Sequence, residues 1–558
     1  MKKFFSLLII STVTLHFSKS FAQDNLKNYW QQEVNYTIQV KLDDVKNFLY
    51  ATESIDYINH SPDTLKFIWF HLWANAYKNN NTAFAKQKVE NGAVDFYFSK
   101  EEDRGFIDSL NFEVNGETVK LEYDPNNIDI ARIWLNKPLA PNSQITITTP
   151  FRVKIPKNFS RMGHVGQQYQ ISQWYPKPAV YDRKGWHPIP YLDQGEFYSE
   201  FGVFDVFITL PKNYVMDATG SLINEDEKNW LQIKEAASRK KLGIEMNELQ
   251  KEIAVDDSFG IVFPPSSTEM KTLHYHAEDV HDFAWFADKR YLIVKDAVTL
   301  ESGKKVETTV LFTEDHANVW RNAVHFVDSA VFYYSKWIGD YPYPHATAVD
   351  GALVAGGGME YPMITVVGKT TSAGSLDNVI AHEVGHNWFY GILGFNERDH
   401  PWMDEGINSY YEDRYGDRNL KPGNSIAPKF LGLAGMTNEK LKYLTYLIVA
   451  RPHNDQPADI PATQYTQLNY GAIIYAKVPV MMSHLAASMG QQEYDSTMHT
   501  LFNEWQFKHV YPEDMKNVFE QSSPMSFDWF FNQYLNTTDH LDFKLLNAKD
   551  TMHIGSSA

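Results

Sequence analysis

The chain has 558 residues, with 43% hydrophobic and 22% charged residues, a formal net charge of −18 and no cysteine. This length predicts two or more domains with substantial cores, and the composition argues against a disordered chain or a membrane protein. The acidic balance disfavours nucleic acid as a partner, and the lack of cysteine excludes disulfides and thiolate metal ligands.

The first residues have the order of a secretory signal. Lys2 and Lys3 precede the apolar run Phe4 to Leu15, and small residues end at Ala22. We therefore predict a signal peptide at residues 1–22 and an exported bacterial protein, periplasmic or secreted. After signal removal we expect no transmembrane segment, because the best later stretch, Gly471 to Gly490, contains a lysine and a histidine and is interpreted as a buried helix.

Residues 23–312 are predicted to form a β-rich N-terminal domain. Short runs such as Leu65 to Trp73 and Gln144 to Ile155 are typical of strands, and Asn115-Gly116 is typical of a turn. A densely charged stretch, Glu225 to Lys251, interrupts this pattern and predicts a solvated helix or an insertion.

Residues 313–558 are predicted to be mainly helical. Apolar residues recur at helical spacing from Val319 to Tyr334, which predicts one amphipathic helix that ends near Gly339. Because no Pro/Gly-rich linker separates the halves, we expect them to pack tightly. The predicted fold class is multidomain α+β.

The residues that carry chemistry centre on His382-Glu383-Val384-Gly385-His386. An apolar run precedes them, with Ser375 and Asp377 as possible helix caps. Residues four apart share one helical face, so both imidazoles can reach one metal ion while Glu383 can act on the hydrolytic water. The alternative for this motif alone is a surface helix with paired histidine and glutamate side chains.

A catalytic zinc needs a third protein ligand and an open position. Glu405, nineteen residues after His386 and at the start of a second predicted helix, supplies that ligand. The spacing therefore predicts one Zn²⁺ held by His382, His386 and Glu405.

These residues resemble the aminopeptidase N type of zinc metallopeptidase, a gluzincin family whose signature is HExxH, eighteen residues and Glu. The resemblance implies a thermolysin-like catalytic domain after the β-rich domain. With 83 residues after Tyr475, the large C-terminal helical domain of many relatives is expected to be replaced by a short helical end.

The segment Gly357-Gly358-Met359-Glu360 resembles the family's Gly-x-Met-Glu-Asn exopeptidase motif, with Tyr361 in place of the asparagine. The resemblance implies that Glu360 binds the α-amino group of the substrate. A carboxylate in a cleft is also the simplest recognition element for an N-terminal ammonium. The alternative is a glycine-rich turn beside an edge strand.

Three further roles come from the resemblance. Tyr475 matches the family's catalytic tyrosine, which stabilises the oxyanion. Next to it, Ala476 and Val478 replace the Glu and Gly that are usual in the family sequence. Glu412, seven residues after Glu405, is expected to accept a hydrogen bond from a ligand imidazole. Gln173 resembles the β-domain residue that helps to hold the substrate amine; it is otherwise an ordinary exposed glutamine.

We therefore predict a zinc aminopeptidase that releases N-terminal amino acids from peptides with a free N-terminus. Two alternatives stay open. One is an endopeptidase or epoxide hydrolase on the same zinc site, and the other is an exported binding protein without turnover.

Overall fold

The structure is a computed structural model that describes residue 26 and residues 29–244, 262–353, 357–419 and 436–539. The predicted signal peptide, residues 1–22, lies outside the described residues, as does the end of the charged stretch after residue 244.

The N-terminal half is built around a nine-stranded sheet with the strand order β17-β18-β15-β1-β2-β9-β5-β6, in which β4 also pairs with β9. Alternate residues of β1 and β2 are buried, which is the pattern of strands with one face on a core. Its strands are β1 Glu33–Asp43, β2 Phe48–Asn59, β4 Phe106–Asp108, β5 Glu113–Val114, β6 Glu117–Thr118, β9 Ser143–Lys154, β15 Gly202–Pro211, β17 Ser221–Leu222 and β18 Met270–Val280.

Smaller sheets complete this half. One has the order β10-β11-β19-β16, another β12-β3-β8-β7, and β13 pairs with β14. Their bounds are β3 Leu65–His71, β7 Lys120–Tyr123, β8 Ile130–Leu139, β10 Gly163–Val165, β11 Gln168–Ile171, β12 Lys177–Pro178, β13 Tyr181–Asp182, β14 Gly185–Trp186, β16 Val215–Ala218 and β19 Trp285–Asp288. The predicted strands and the turn at Asn115-Gly116, which joins β5 to β6, are present.

Two helices accompany these sheets. Helix α1 spans Ala83–Glu90, and α2 spans Glu225–Leu242 within the densely charged stretch. The first turn of α2 is acidic and its last turn is basic, which complements the helix dipole at both ends. The stretch is therefore a helix as far as Leu242.

A five-stranded sheet begins within the range predicted for the N-terminal domain. Its order is β20-β21-β22-β24-β23, and the bounds are β20 Leu292–Thr299, β21 Lys305–Phe312, β22 His345–Asp350, β23 Gly358–Tyr361 and β24 Ile364–Val367. Because β21 pairs in parallel with β22, the hairpin before residue 312 belongs to the sheet of the helical half. Strand β23 lies at the edge of this sheet.

Helices dominate the remainder of the chain, and a short pair, β25 Leu393–Phe395 and β26 Lys508–Val510, lies among them. They are α3 Ala317–Trp320, α4 Val324–Trp337, α5 Ala373–Gly385, α6 Ile407–Asn419, α7 Asn438–Ala450, α8 Gln467–Met489, α9 Gln491–Trp505 and α10 Pro512–Ser522. The predicted amphipathic helix is present as α4, which ends near Gly339 as expected. Its predicted continuity from Val319 is wrong, because turn residues 321–323 separate α3 from α4.

Helix α8 contains the apolar stretch that the sequence analysis singled out. By length and composition Gln467–Met489 qualifies as a membrane-spanning candidate, yet 72% of its most apolar window is buried inside the protein. Its middle, Tyr470–Lys477, is π-helical. This burial agrees with the interpretation as a core helix.

Buried polar contacts join the two halves. His509 Nε2 lies 2.9 Å from Glu200 Oε2, and the Tyr511 hydroxyl donates to Asp182 at 2.6 Å. The N-terminal half therefore packs directly against the helical half. The β-rich region followed by a helical domain confirms the predicted fold class.

Candidate active site

Helix α5 positions the histidine motif. Its first turn is capped by the Ser372 side chain, which accepts from Ser375 N at 3.2 Å, so the predicted caps at Ser375 and Asp377 are wrong. Asp377 instead accepts from the Tyr415 hydroxyl at 2.6 Å. The apolar face of the helix packs on β23 and β24, which places its last turn beside the edge strand.

Gly385, between the two histidines, has no room for a side chain. A Cβ there would lie 2.1 Å from Asn408 Oδ1 and 2.4 Å from the Tyr334 ring. Asn408 in turn donates to the His382 carbonyl at 2.8 Å. Helix α6, which carries Asn408, is thus held close against α5 at the level of the histidines.

The three predicted metal ligands converge. His382 Nε2 and His386 Nε2 lie 3.1 Å apart, and Glu405 Oε2 lies 3.1 Å and 3.3 Å from them respectively. Ligands about 2.0–2.1 Å from a tetrahedral zinc ion are roughly 3.3 Å from one another. The three donor atoms therefore match the spacing of a zinc site, and the donor set of two imidazoles and one carboxylate suits that metal.

Each ligand histidine has an acidic partner on its other ring nitrogen. His382 Nδ1 lies 3.1 Å from Glu412 Oε2, and His386 Nδ1 lies 2.6 Å from Asp404 Oδ1. Such partners fix the tautomer that leaves Nε2 free to bind a metal. The sequence predicted Glu412 and missed Asp404.

The π-helical turn Trp402–Gly406 explains why Asp404 was missed. In a regular α-helix, adjacent residues point about 100° apart, so Asp404 and Glu405 would not be expected to serve the same site. The wider turn before α6 brings both side chains to His386. π-helical turns occur frequently at functional sites, but no periodic pattern of residues in the sequence predicts them.

The carboxylates make this a site for positive charge. Burial alone would lower the pKa of His382, but hydrogen bonds to Glu405 and Glu412 raise it to about 10. Asp404, Glu360 and Glu405 likewise outweigh burial and raise the pKa of His386 well above its usual value. A divalent cation bound between the two imidazoles and Glu405 would balance the same negative charge.

Glu383 lines the same cavity as the metal ligands His382 and Glu405. Burial raises the pKa of its carboxyl group to about 7, although His382 and His386 act in the opposite direction. A group that titrates near neutrality suits proton transfer in both directions. Gly358 on β23 gives it room, since a Cβ at that glycine would lie 2.3 Å from Glu383 Oε1.

The residues of the predicted exopeptidase motif line one cavity of about 570 Å³ together with the metal ligands His382 and Glu405. They are Gly357, Gly358, Met359 and Glu360. Glu360 is buried, and its Oε1 atom has no hydrogen-bond partner among the described residues. Burial raises the pKa of Glu360 well above its ordinary value. This carboxyl group therefore faces the cavity with capacity for a cationic partner.

Tyr475 also lines the cavity, from the π-helical part of α8. Its hydroxyl donates to Glu405 Oε1 at 2.5 Å, so the hydroxyl lies next to the ligand set. The structure therefore places Tyr475 at the site, although the neighbouring Ala476 and Val478 differ from the family sequence.

Gln173 does not reach the cavity, contrary to the prediction. It is buried, has a positive φ of 48°, and its Oε1 atom accepts from the Tyr361 hydroxyl at 3.2 Å. The cavity lining within the described part of the chain includes neither of these two residues. Tyr361 points away from the cavity because it follows Glu360 on the same strand, where side chains alternate.

Several residues of the cavity lining were not singled out by the sequence analysis, and two of them are charged residues that pair with each other. Glu196 and Arg161, both from the N-terminal half, line the cavity and form a buried ion pair at 2.5 Å. They lie more than 180 residues before the histidine motif, and neither belongs to a motif whose spacing indicates a function.

The Asp404 contact leads to a first prediction. Asp404→Asn should lower zinc affinity by about 10–100-fold, because the amide no longer fixes the His386 ring with a charged acceptor. Competition with a fluorescent zinc chelator measures this directly. Asp288→Asn, which removes another buried carboxylate that pairs with Arg290 at 2.6 Å, is the matched control. Equal zinc affinity in the Asp404 variant and the wild type would contradict the assignment.

Comparisons with known proteins find similarity over the helical half that contains this site. Residues 327–534 match the Peptidase family M1 domain. Aminopeptidase B of Rattus norvegicus is 27% identical over 201 residues, 32% of this chain and 29% of that protein. Aminopeptidase B of Homo sapiens is 26% identical over 180 residues, 30% of this chain and 26% of that protein. The aligned part thus spans less than a third of these relatives.

Solved structures share the fold over nearly the whole chain. An M1 zinc metallopeptidase from Deinococcus radiodurans has a TM-score of 0.57 at 12% identity, covering 93% of this chain and 97% of that one. A mutant of that protein bound to a Tyr-Ser-Ala substrate has a TM-score of 0.58 at 11% identity, covering 92% and 96%. At this identity the likeness concerns the fold alone.

Proposed function

We propose that this chain is a zinc-dependent aminopeptidase. The premise is its membership of the M1, aminopeptidase N-type family of gluzincins, which residues 327–534 show and which confirms the family prediction. The family is one of zinc hydrolases. The proposed reaction is the release of single amino acids from the free N-terminus of peptides, with one zinc ion per site.

The observation that carries the proposal is the shared cavity. The ligand atoms of His382, His386 and Glu405 lie within 4.8 Å of one another, and Glu383 and Glu360 face the same space. A base beside a metal site supports hydrolysis, and a buried carboxylate whose Oε1 atom has no partner among the described residues supports recognition of an ammonium group.

Each residue then has a defined task. When bound, zinc polarises the substrate carbonyl and lowers the pKa of water. Glu383 accepts a proton from the attacking water and returns it to the leaving amine. The Tyr475 hydroxyl donates to the oxygen that gains negative charge. Glu360 holds the substrate ammonium, which fixes the first peptide bond at the base.

The proposal extends to location and partners. The charged, apolar and small-residue order of residues 1–22 and the absence of cysteine support export from a bacterial cell, to the periplasm or beyond. The partners are peptides with a free N-terminus, and the net charge of −18 argues against nucleic acid.

A comparison of free and N-acetylated peptides tests the function. We expect the zinc-loaded protein to release leucine from Leu-Gly-Gly and to process the acetylated peptide with a kcat/KM at least about 100-fold lower, because acetylation removes the charge that Glu360 recognises. Amino-acid analysis of time points gives both rates.

The control is Glu360→Gln, for which the gap between the two peptides should shrink, chiefly through slower cleavage of the free peptide. Internal cleavage of blocked peptides at comparable rates would favour an endopeptidase. A zinc-loaded protein that releases no amino acid from any free peptide would refute the proposed function.

A further inference from the structure

The cavity that contains the metal ligands has a buried end and an open end. Glu360, Glu383 and Glu405 are buried at its inner end. Gln467 and Gly471 at the start of helix α8 also line the cavity, but both are exposed, and a Cβ on Gly471 would meet no atom within 4 Å. A peptide whose first residue is bound at the inner end therefore extends across this opening.

The loop that carries Gln194 joins the two segments that border the opening. On one side, the Gln194 amide donates to Gln87 Oε1 of helix α1 at 2.9 Å. On the other side, Gln194 Nε2 donates to Tyr465 O at 3.4 Å, two residues before Gln467. Asn91, which follows α1, lines the cavity as Gln467 does. The end of α1 and the start of α8 therefore flank the same opening.

Both segments present large hydrophobic side chains to solvent. Val89 and Val94, on either side of Asn91 in the chain, are 42% and 48% exposed. Leu468, at the start of α8, is 62% exposed. Helix α7 packs against the π-helical part of α8 and adds Ile448, which is also 62% exposed. Hydrophobic surface therefore borders the opening on both sides.

These side chains are concentrated rather than scattered. Half of the large hydrophobic side chains that are exposed in the described part of the chain lie within residues 89–98 and 443–468. Single exposed hydrophobic residues are common on soluble proteins, whereas a concentration of them beside a cavity marks a binding surface. We call four of these residues the rim: Val89, Val94, Ile448 and Leu468.

The rim differs in chemistry from the cavity behind it. Charged and amide side chains make up much of the cavity lining, among them Asp193, Glu360 and Gln467. Such a lining suits the charged end of a peptide and its first carbonyl group. The rim offers apolar contacts instead, so substrate residues that remain outside the cavity gain binding energy there only if they bury apolar surface.

We propose that the rim binds apolar side chains of the peptide substrate from its third residue onward, and that the preferred substrates are peptides of five or more residues with an apolar continuation. This inference rests on the proposed aminopeptidase function and names its substrate class. Successive side chains of an extended peptide point to opposite sides, so they would contact the α1 side and the α7–α8 side of the opening in turn.

Two peptides of nearly the same shape test the rim, Leu-Gly-Val-Val-Val and Leu-Gly-Thr-Thr-Thr, with Leu-Gly-Gly as the short reference. Free leucine comes from each peptide only by the first cleavage, so its initial rate of release by the zinc-loaded full chain reports that step. We expect KM for the valine peptide to be about tenfold lower than for the threonine peptide, with kcat equal within about twofold, because the rim binds ground state and transition state alike.

Substitutions on each side of the opening locate the effect. Leu468→Gln combined with Ile448→Gln should raise KM for the valine peptide about fivefold, because the apolar contact is lost, and should leave KM for Leu-Gly-Gly unchanged. Val89→Gln combined with Val94→Gln should act in the same direction.

The matched control makes the same change at two other exposed residues. Ile223 and Ile233 are 45% and 70% exposed, and neither belongs to the cavity lining within the described chain. Ile223→Gln combined with Ile233→Gln should leave the kinetics of all three peptides unaffected. A control that raises KM for the valine peptide as much as the rim variants do would overturn the inference.

Two further results would overturn it. One is an equal KM for the valine and threonine peptides in the wild type, or a difference that survives both pairs of rim substitutions. The other is a wild-type dimer, seen by sedimentation velocity, that dissociates when Leu468 and Ile448 are replaced, because the rim would then bind a second copy of the chain. Monomers in both proteins are the expected result.

The two proposals fail separately. If the wild type releases leucine from none of the three peptides, the aminopeptidase function is refuted. If it releases leucine from Leu-Gly-Gly but does not distinguish the valine peptide from the threonine peptide, only the role of the rim is refuted.

Discussion

Replacing Glu383 with glutamine is expected to lower kcat by about 10²–10⁴-fold and to leave zinc content unchanged. Glutamine has the same size and fits beside Gly358, but its amide cannot accept a proton. Glu383 is not one of the three converging ligand groups, His382, His386 and Glu405, so metal binding should survive. Burial raises the pKa of its carboxyl group to about 7, which suits a group that accepts and returns a proton near neutrality.

Three measurements separate this role from a structural one. Zinc content by atomic absorption and the melting temperature of the zinc-loaded protein should match the wild type, while single-turnover hydrolysis of a free dipeptide should slow by the full factor. Glu383→Asp, which keeps the acid but shortens it by one methylene group, should retain more activity than Glu383→Gln. A glutamine variant with near wild-type kcat would assign the base to another residue.

The metal ligands could be predicted because their geometry is local. The i, i+4 spacing of the two histidines on one helical face needs no knowledge of the rest of the fold. Glu405 lies farther along the chain, and its prediction depended on the known spacing. Asp404 could not be predicted in the same way, because it reaches His386 only through the π-helical turn before α6.

The N-terminal contribution to the cavity illustrates the limit of sequence motifs. Glu196 reaches the cavity because Arg161 and Arg398 hold its loop between the two halves. Arg161 is about 35 positions from Glu196 and Arg398 is about 200 positions from it. No periodic pattern in the sequence indicates contacts at such separations. The resemblance pointed to the β-rich half as a source of an amine-binding residue, but the motif match placed it at the buried Gln173.

The fold likewise has parts that could be predicted from the sequence and parts that could not. The long strand β9, along which buried and accessible residues alternate, was evident from the sequence as the run Gln144 to Ile155. Strands β23 and β24 have four residues each, too short for a reliable period, so the sheet that carries Glu360 was not predicted. Its hairpin β20–β21 has ordinary strand character, and only its pairing with β22 assigns it to the helical half.

Removing the metal should abolish hydrolysis and destabilise the chain. Dialysis against a chelator is expected to leave no detectable release of amino acids, because the remaining groups supply no Lewis acid, and added zinc should restore the rate. Binding also stabilises the folded state, by about 4 kcal/mol when free zinc is 1,000 times its dissociation constant. The melting temperature should therefore rise when zinc is returned to the metal-free protein.

The carboxylates around His382 and His386 predict how zinc affinity depends on pH. Because the carboxylates raise the pKa of His382 to about 10 and also raise that of His386, we expect zinc to displace protons at neutral pH. Affinity should fall as pH decreases, by about tenfold per pH unit for each displaced proton. Calorimetry in two buffers of different ionisation enthalpy counts those protons. Release of one or two protons is the expected result. Zinc binding without proton release would contradict a raised imidazole pKa beside Glu405, Glu412 and Asp404.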